Sequence, residues 1–279
     1  MICRLARLRP FLARTQSTPL STAVNSEFSS YFLSRWPQLS SSIANKDDDN
    51  NNDTAVSVKT AVSVVAESFQ SMGDEPYFGE PVTHEEHALQ CAALAEESGY
   101  DEDIIVAALL HDIGHICAPD NAPHMNTDGG PDVGVVDHEK VGHDMLRLLG
   151  FSNFVTELVQ SHVPSKRYLV SMDKEYQEGL AEDSRRSLVF QGGLMTKNEL
   201  KEFDEQNKSM KDIKIKFRMW DEKGKVAGIV TPTMDYYLPM VERHLERERR
   251  GNGWYTAGGA RGERDCKDSL HTETAGGTQ

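Results

Sequence analysis

Six potential metal ligands, four histidines and two aspartates, are spread over the middle of the chain. The most suggestive are His111 and Asp112, a His-Asp pair that closes a very apolar run at residues 107–110. Such a pair is costly to bury unless its polar groups are satisfied. The four histidines also form two pairs, each with its members 24 residues apart. The six residues are His87, His111, Asp112, His138, His162 and Asp221.

The number and type of these side chains favour two metal ions over one. Four imidazoles and two carboxylates exceed what a tetrahedral zinc site accepts, but they suit two six-coordinate ions that share a carboxylate. Asp112 is the natural bridge, because its neighbour His111 can bind one ion while the carboxylate spans both. A single histidine on a helix is more often an ordinary core or surface residue, so the prediction depends on the joint pattern. Five of the other six histidines are interpreted as surface residues: His84, His124, His143, His244 and His271.

The elements that position these residues are predicted to be helices. Thr83 and Glu86 have the spacing of a capping box, and the apolar-rich stretch that follows runs to Gly99. Gly114, Gly150 and Pro164 are predicted to end three of the later helices. Strand-like alternation is scarce, so the predicted fold class is all-α. The later helices are predicted over residues 104–113, 138–149, 153–163, 212–221 and 234–249, with a short one opening at Thr196.

The two ends of the chain differ from its middle. Residues 1–45 hold five arginines and a single acidic residue and are rich in Ser and Thr, which is typical of an organelle transit peptide. This favours a mitochondrial protein, with a plastid protein or a cytoplasmic protein with a basic tail as alternatives. Residues 46–56 are predicted to be a low-complexity linker, and residues 251–279 a disordered tail. One domain is therefore expected over residues 57–250.

Composition and charge exclude several classes of protein. The chain has 44 acidic against 30 basic residues and a net charge of −14, which repels phosphate backbones and argues against nucleic-acid binding. No run approaches the roughly 18 apolar residues that a membrane span needs. The four cysteines contain no C-x-x-C pair, which excludes a disulfide scaffold and a zinc ribbon.

Several stretches around the six candidate ligands resemble a known family. The segment AALLHDIGH, with His87 before it and Asp221 after it, resembles the HD-domain superfamily of helical, metal-dependent enzymes, which are mostly phosphohydrolases. The stretches YFGEPVTHEEHALQCA, DHEKVGH, HVPSKRYL, SRRSLVFQGG and RMWDEKGK are more specific. They are similar to HD-domain mixed-valent di-iron oxygenases that cleave the carbon–phosphorus bond of 1-hydroxy-2-aminoethylphosphonates, with myo-inositol oxygenase as a more distant relative. The resemblance covers about residues 75–225 and implies a single helical bundle.

The resemblance also implies a cofactor and a lid. It makes the six residues ligands of an Fe(II)/Fe(III) pair that uses O2, with Asp112 as the bridge. Tyr77 and Glu80 match a lid in that family. There the tyrosine occupies an iron position until substrate displaces it, and the glutamate recognises the ammonium end of the substrate.

The substrate groups implied by the resemblance lie further along the chain. His115 and Lys166 match residues that hold the phosphonate, and Ser184 and Ser187 fall where the family places hydroxyl donors. The segment between His115 and His138 is long and loop-like, and this leaves open whether the amine of the substrate is primary or trimethylated.

Two other functions use the same six ligands. A phosphohydrolase would use two redox-silent metals to activate water against a small phosphoester. A non-catalytic regulatory domain would keep the metal only for its fold. The lid residues Tyr77 and Glu80, together with Lys166 and the two serines, favour the oxygenase, with a small phosphonate as its substrate.

Overall fold

The computed structural model describes residues 26–39, 56–126 and 130–251, and the regular elements in these ranges are all helical. Extended segments meet there only at two isolated antiparallel bridges, Pro76 to Thr83 and His124 to Val135. The all-α prediction is confirmed. In chain order the helices are α1 Ser26–Arg35, α2 Val58–Met72, α3 His84–Glu97, α4 Glu102–Leu110, α5 Ile113–Cys117, α6 His138–Leu149, α7 Asn153–Met172, α8 Lys174–Gly179, α9 Glu182–Phe190, α10 Lys197–Gln206, α11 Lys211–Lys223 and α12 Met234–Arg249, with a 3-10 turn at Pro37–Leu39.

Local sequence signals start three of the helices that position the candidate ligands. Thr83 and Glu86 make both hydrogen bonds of the capping box at the start of α3. Asp101 accepts a hydrogen bond from a backbone N–H in the first turn of α4, and Ser152 does so for α7. These caps satisfy N–H groups that have no partner inside the helix, so they fix where each helix begins.

Helix α4 is the central element of the fold. Its residues from Asp103 to Leu110 are all buried, because α3, α7 and α12 pack around it. A helix that is apolar on every side belongs in the interior of a protein. The chain leaves α4 at His111 and Asp112, so these two polar residues are also buried inside the bundle.

Helix α7 continues through Pro164, where the sequence predicted its end. A proline removes one helical hydrogen bond and crowds the preceding turn. Here the flanking residues Val163 and Ser165 are buried, and α7 packs against α6 and α11, so tertiary packing overrides the local preference. The correction matters for the site, because a continuous helix places Lys166 one turn after His162 on the same face.

The prediction that Gly114 ends a helix is also wrong. Helix α4 ends at Leu110, and Gly114 lies inside the short helix α5. A Cβ atom on Gly114 would lie 1.9 Å from the carbonyl oxygen of His138. The glycine is therefore required by the close approach of α5 to α6. This approach stacks His115 on His138 with 3.8 Å between ring centroids.

Part of α1 and of the turn that follows it belongs to the hydrophobic core. Phe32, Trp36 and Leu39 are buried in the same cluster as the apolar residues of α2, α4 and α7. They lie within the predicted transit peptide at 1–45, so a leader that extended to residue 45 would include part of this core. Val56, in the predicted linker, is buried as well. The rest of the predicted leader and linker, and the predicted tail beyond Gly251, lie outside the described ranges. Within those ranges no helix is long and apolar enough to cross a membrane.

Candidate metal centre and active site

The four predicted histidine ligands meet in two pairs at the centre of the bundle. His87 on α3 and His111 at the end of α4 face each other with 3.1 Å between their Nε2 atoms. His138 at the start of α6 and His162 on α7 face each other with 2.9 Å between theirs. All four side chains are buried. The two spacings of 24 residues therefore correspond to two spatial pairs.

Each of these imidazoles has its other ring nitrogen bound to a backbone carbonyl. A carbonyl oxygen only accepts hydrogen bonds, so Nδ1 carries the proton and Nε2 presents a lone pair. This is the arrangement by which metal-ligating histidines are oriented in proteins. The carbonyls are those of Gly224 for His87 at 2.7 Å, Ala108 for His111 at 2.8 Å, Val135 for His138 at 3.2 Å and Val159 for His162 at 2.6 Å.

Asp112 lies between the two pairs and presents one oxygen to each. Its Oδ2 is 3.6 Å from His87 Nε2 and 3.4 Å from His111 Nε2. Its Oδ1 is 3.5 Å from His138 Nε2 and 3.3 Å from His162 Nε2. A carboxylate placed in this way can bridge two ions.

Asp221 on α11 adds a second carboxylate to the first pair only. Its Oδ1 is 3.6 Å from His87 Nε2 and 3.8 Å from His111 Nε2. The first position therefore has two imidazoles and two carboxylates around it, and the second has two imidazoles and the shared carboxylate of Asp112.

The donor set fits a pair of cations. Two ligand atoms that are each about 2.1 Å from one ion, at right angles, lie about 3 Å apart, which matches the two Nε2 separations. Burial lowers the pKa of His111, but the charge of Asp112 raises it to about 9 overall, so this imidazole attracts a cation, which is a proton when no metal ion is bound. Burial by itself raises the pKa of Asp112, but the neighbouring imidazoles, first among them His111, hold it well below its usual value. Asp112 is thus a carboxylate, as a bridging ligand must be.

Cys91 lies behind the first pair without joining it. Its Sγ is 3.9 Å from the ring nitrogens of His87 and 3.6 Å from the carbonyl oxygen of Trp220, to which the thiol donates. Burial raises the pKa of this thiol well above its usual value. A protonated thiol is a poor metal ligand, so we interpret Cys91 as a packing residue between α3 and α11.

Tyr77 reaches the centre from a tight turn before α3. Its hydroxyl donates a 2.6 Å hydrogen bond to Asp112 Oδ2, and its ring stacks on His87 with 4.2 Å between centroids. The turn depends on positive φ angles at Phe78 (42°) and Gly79 (87°). Burial, followed by the charge of Asp112, raises the pKa of Tyr77 well above its usual value, so the group is a neutral phenol. Glu80, at the other end of the turn, lines the pocket above the centre.

His115 has the opposite hydrogen-bond pattern to the four ligand histidines. Its Nδ1 accepts a 3.1 Å hydrogen bond from the backbone N–H of Val135, so in the neutral ring the proton is on Nε2. Burial lowers the pKa of His115 well below its usual value, which favours that neutral form. His115 therefore offers a hydrogen-bond donor to the pocket instead of a lone pair to a metal.

One wall of the pocket is cationic. Lys166 on α7 is buried and donates a 3.0 Å hydrogen bond to Ser187 Oγ. Lys225 Nζ donates to Ser184 Oγ at 2.9 Å, and Arg218 donates to the same oxygen at 3.3 Å. Burial, followed by the charge of Arg218, lowers the pKa of Lys166 to about 7. Glu222 partly offsets this charge, because it accepts from Ser184 Oγ and pairs with Lys225 and Arg218.

Arg218, Lys225 and Gln191 are pocket residues that the sequence analysis missed. Arg218 also pairs with Asp221 and Glu222, so it ties the cationic wall to the metal centre. Gln191 has a buried Oε1 without a hydrogen-bond partner. Arg218 lies one helical turn before Asp221, and that spacing could have identified it.

The pocket brings ten of the twelve predicted site residues together in a volume of about 410 Å³, including its open mouth. His87 and His111 lie behind Asp112, inside the cluster. The ten residues that line the pocket are Tyr77, Glu80, Asp112, His115, His138, His162, Lys166, Ser184, Ser187 and Asp221.

The histidines that the sequence analysis placed on the surface differ in their burial. His244 on α12 is fully buried, where its Nδ1 bonds Asp103 Oδ1 at 2.8 Å and its Nε2 accepts from the backbone N–H of Ser152 at 3.2 Å. His84 is half-buried with its ring against Tyr77 and Phe78, and burial lowers its pKa to about 4. His143 is half-buried and His124 is exposed, whereas His271 lies outside the described ranges.

Comparison with known proteins identifies the class first. The family model for the HD domain matches residues 85–190, the segment that contains His87, the His111-Asp112 pair, His138 and His162. The fold and the site thus define an HD-domain protein.

Comparison with individual proteins identifies the family within the HD-domain class. The chain is 41% identical over 186 residues to [1-hydroxy-2-(trimethylamino)ethyl]phosphonate dioxygenase (glycine-betaine-forming) of Leisingera caerulea, covering 67% of this chain and 91% of that protein. It is 41% identical over 192 residues to hydroxymethylphosphonate dioxygenase of Gimesia maris, with the same two coverages. An uncharacterised protein of Acanthamoeba polyphaga mimivirus is 34% identical over 184 residues, covering 66% of this chain and 81% of that protein. The chain belongs to the family of HD-domain phosphonate dioxygenases.

Proposed function

We propose that the protein is an O2-dependent di-iron dioxygenase that cleaves the carbon–phosphorus bond of a 1-hydroxy-2-(amino or trimethylamino)ethylphosphonate. The products are a carboxylate and inorganic phosphate. One O2 is consumed, and the substrate supplies all four electrons, so no other reductant is needed. The names of the two dioxygenase relatives support the reaction class, and the pocket supports a phosphonate as the substrate.

The observation that carries this proposal is the placement of Asp112. One carboxylate faces two histidine pairs, and the Tyr77 hydroxyl lies 2.6 Å from it at the floor of the pocket. The imidazole and carboxylate donors suit iron, which when bound as a pair supplies Lewis-acid and redox chemistry with O2. A purely structural metal would need neither a second position nor a pocket above it.

The cationic wall holds the phosphonate end of the substrate. Lys166, Lys225 and Arg218 supply positive charge, and Ser184 and Ser187 supply hydroxyl groups at hydrogen-bonding distance from those cations. The phosphate product carries a similar charge, so the same groups stabilise it as the carbon–phosphorus bond breaks. His115 donates from Nε2 to an oxygen of the substrate and so fixes the orientation of the reacting carbon.

The turn at Tyr77 closes the pocket. The Tyr77 hydroxyl and ring cover Asp112 and His87, so a ligand that reaches the floor must displace the phenol from Asp112. The displaced turn, with Glu80 at its end, then covers the substrate and excludes water. Glu80 supplies a negative charge to the amine end.

The proposal is tested by loading the protein with ferrous iron without oxygen and then adding O2 and a panel of hydroxyphosphonates. We expect O2 uptake and phosphate release in a ratio of one to one, only with a 1-hydroxyphosphonate. Phosphate release from a phosphoester without O2 uptake would identify a phosphohydrolase instead. If the iron-loaded protein consumed no O2 and no substrate, a non-catalytic regulatory domain would be favoured.

We also propose that residues 1–25 direct the protein to the mitochondrion. This segment holds Arg4, Arg7, Arg9 and Arg14 and no acidic residue, and the folded core starts after it. A fusion of residues 1–25 to a fluorescent protein should accumulate in mitochondria of a eukaryotic cell. Plastid import or diffuse fluorescence would contradict this proposal.

A further inference from the structure

A largely buried carboxylate, that of Glu222 on α11, lies against the cationic wall of the pocket. The side chain is 14% exposed and pairs with Arg218, and its Oε2 lies 3.9 Å from Lys225 Nζ. The same oxygen accepts a 3.3 Å hydrogen bond from Ser184 Oγ. Ser184, Arg218 and Lys225 all line the pocket, so a negative charge lies in contact with the residues that hold the phosphonate.

Glu222 is charged and is fixed in position from the side of α9. Burial raises its pKa, but the charges of Arg218 and Lys225 lower it below its usual value overall, so the side chain is a carboxylate. Its Oε1 accepts a 2.7 Å hydrogen bond from the backbone N–H of Ala181, the residue that precedes α9. The first N–H groups of a helix have no partner inside it, so this contact favours both the carboxylate and the helix.

Two of the cations in the wall have partners other than Glu222. Arg218 also pairs with Asp221, the carboxylate beside the first histidine pair. Lys225 donates a 2.9 Å hydrogen bond to Ser184 Oγ. Removal of the charge of Glu222 therefore leaves both cations with a protein partner in the pocket.

The charge of Glu222 opposes a bound dianion. Asp221 offsets the charge of Arg218, which leaves those of Lys166 and Lys225 to face a phosphonate. Glu222 offsets one of these two charges, whereas a phosphonate or phosphate group carries nearly two negative ones. Charges inside a protein interact more strongly than in bulk water, because solvent and salt screen them less.

The hydroxyl group of Ser184 is engaged in the same way. It accepts hydrogen bonds from Lys225 and Arg218, and it donates its own proton to Glu222. A hydroxyl group has one proton, so Ser184 can donate to a phosphonate oxygen only if it releases Glu222. A bound anion and Glu222 thus compete for the same three groups.

We infer that Glu222 is a positioning residue that weakens the binding of phosphate-like dianions and so permits release of the phosphate product. It acts through Arg218, Lys225 and Ser184. The substrate and the phosphate product carry similar charge, so a site that neutralised a dianion completely would also retain the product. The inference rests on the proposed function, because it deepens the role of the same phosphonate site.

Calorimetry with inorganic phosphate tests the inference in the full-length protein, loaded with ferrous iron and kept without oxygen. Glu222→Gln removes the charge but keeps an oxygen for the N–H of Ala181, so we expect phosphate to bind about tenfold more tightly than in the unaltered protein. Glu222→Ala removes the same charge without adding an amide and should give a similar gain. Glu222→Asp keeps the charge and should bind phosphate within about threefold of the unaltered protein.

The matched control is Glu182→Gln. It removes an exposed carboxylate from the first turn of α9, where solvent screens the charge, so the phosphate affinity should stay the same. Thermal unfolding identifies the variants that are folded. Unchanged or weaker phosphate binding in folded E222Q or E222A would overturn the inference. A gain of equal size in E182Q or in E222D would overturn it too, because the charge at this position would then not be the cause.

Turnover separates this inference from the proposed function. With a 1-hydroxyphosphonate as substrate, phosphate should inhibit E222Q competitively at a concentration about tenfold lower than in the unaltered protein, and KM should fall while kcat does not rise. Iron-loaded protein that consumes no O2 with any hydroxyphosphonate, but binds phosphate more tightly as E222Q, would refute the proposed reaction and support the inference. Protein that cleaves a hydroxyphosphonate, but has the same phosphate affinity with and without Glu222, would do the reverse.

Discussion

Two groups of buried histidines and aspartates lie at opposite ends of helix α4, and they differ in what satisfies them. At its start, Asp103 and His244 form a clasp to α12, in which both ring nitrogens of His244 have protein partners. Arg247 pairs with the same carboxylate. At the end of α4, Nδ1 of His111 bonds a backbone carbonyl, and Nε2 faces the candidate metal centre. The imidazole of His87 on α3 is arranged in the same way.

The difference teaches how a structural histidine is distinguished from a metal ligand. Burial and a nearby carboxylate are common to both groups, so neither identifies function. In the clasp, the backbone N–H of Ser152 donates a hydrogen bond to Nε2 of His244, the ring nitrogen that does not contact Asp103. In the centre, lone pairs converge on one another, and a cation is the group that satisfies them.

The largest effect is expected from Asp112→Asn. The substitution removes the negative charge that both histidine pairs share, so we expect the protein to lose at least one of two bound irons. We also expect kcat to fall about 10³-fold, because residues that only orient a metal ligand already contribute about 10- to 100-fold to metal affinity or activity. The matched change in the clasp, Asp103→Asn, should leave iron content and kcat unchanged. Iron analysis and O2 uptake measure both. Full iron content in D112N would contradict the distinction between the metal centre and the clasp.

A smaller effect is expected from Lys166→Gln. Removing a buried cation that holds the phosphonate costs about 2–3 kcal/mol, which raises KM about 30- to 150-fold while iron content stays constant. Normal KM in K166Q would remove Lys166 from the phosphonate site.

The pH dependence of the same residue gives an independent check. Since burial lowers the pKa of Lys166 to about 7, the amine is charged below that pH and neutral above it. We therefore expect kcat/KM to fall as the pH rises through about 7. In Lys166→Arg the cation persists, so this fall should disappear. A fall that persists in K166R would belong to another group, such as the substrate itself.

Tyr77→Phe tests the hydrogen bond that links the pocket to the centre. Without the hydroxyl, Asp112 and the position beside it are open in the absence of substrate. We therefore expect O2 to oxidise ferrous iron about tenfold faster than in the unaltered protein. A tenfold change in rate corresponds to the loss of a hydrogen bond worth about 1.4 kcal/mol. Tyr237→Phe, far from the centre and bonded to Glu96, is the control. Equal oxidation rates in Y77F and Y237F would argue against a gate.

The smallest effect on activity is expected from His244→Gln. The change leaves a buried carboxylate and a backbone N–H short of a partner, which costs about 2 kcal/mol of unfolding free energy, or a few degrees of Tm. Ferrous iron added without oxygen should still raise the Tm of H244Q by as much as it raises that of the unaltered protein. A lost response to iron would show that the clasp and the centre are coupled.

Much of the fold and the site could be predicted from the sequence, because local signals coincide with the final structure. The capping box at Thr83 and the apolar run before His111 determine two of the helices that carry ligands. The predictions at Gly114 and Pro164 were wrong because packing between helices decided them, and packing is not visible in a local pattern. Lys225 could not be identified from the sequence, because a local pattern does not distinguish a buried cation from a solvated charge at a helix end.

His244 is different, because its burial could have been recognised. Tyr237, Met240 and Val241 are apolar positions that repeat with the helical period, and His244 falls on the same face. The partner that satisfies it, the backbone N–H of Ser152, comes from a distant part of the chain and could not be foreseen.

The central claim is that two ions share Asp112, and Mössbauer spectroscopy of protein loaded with ⁵⁷Fe tests it most directly. We predict two irons per chain with magnetic coupling between them, and loss of that coupling in Asp112→Asn. Saturation at one uncoupled iron per chain would contradict the account.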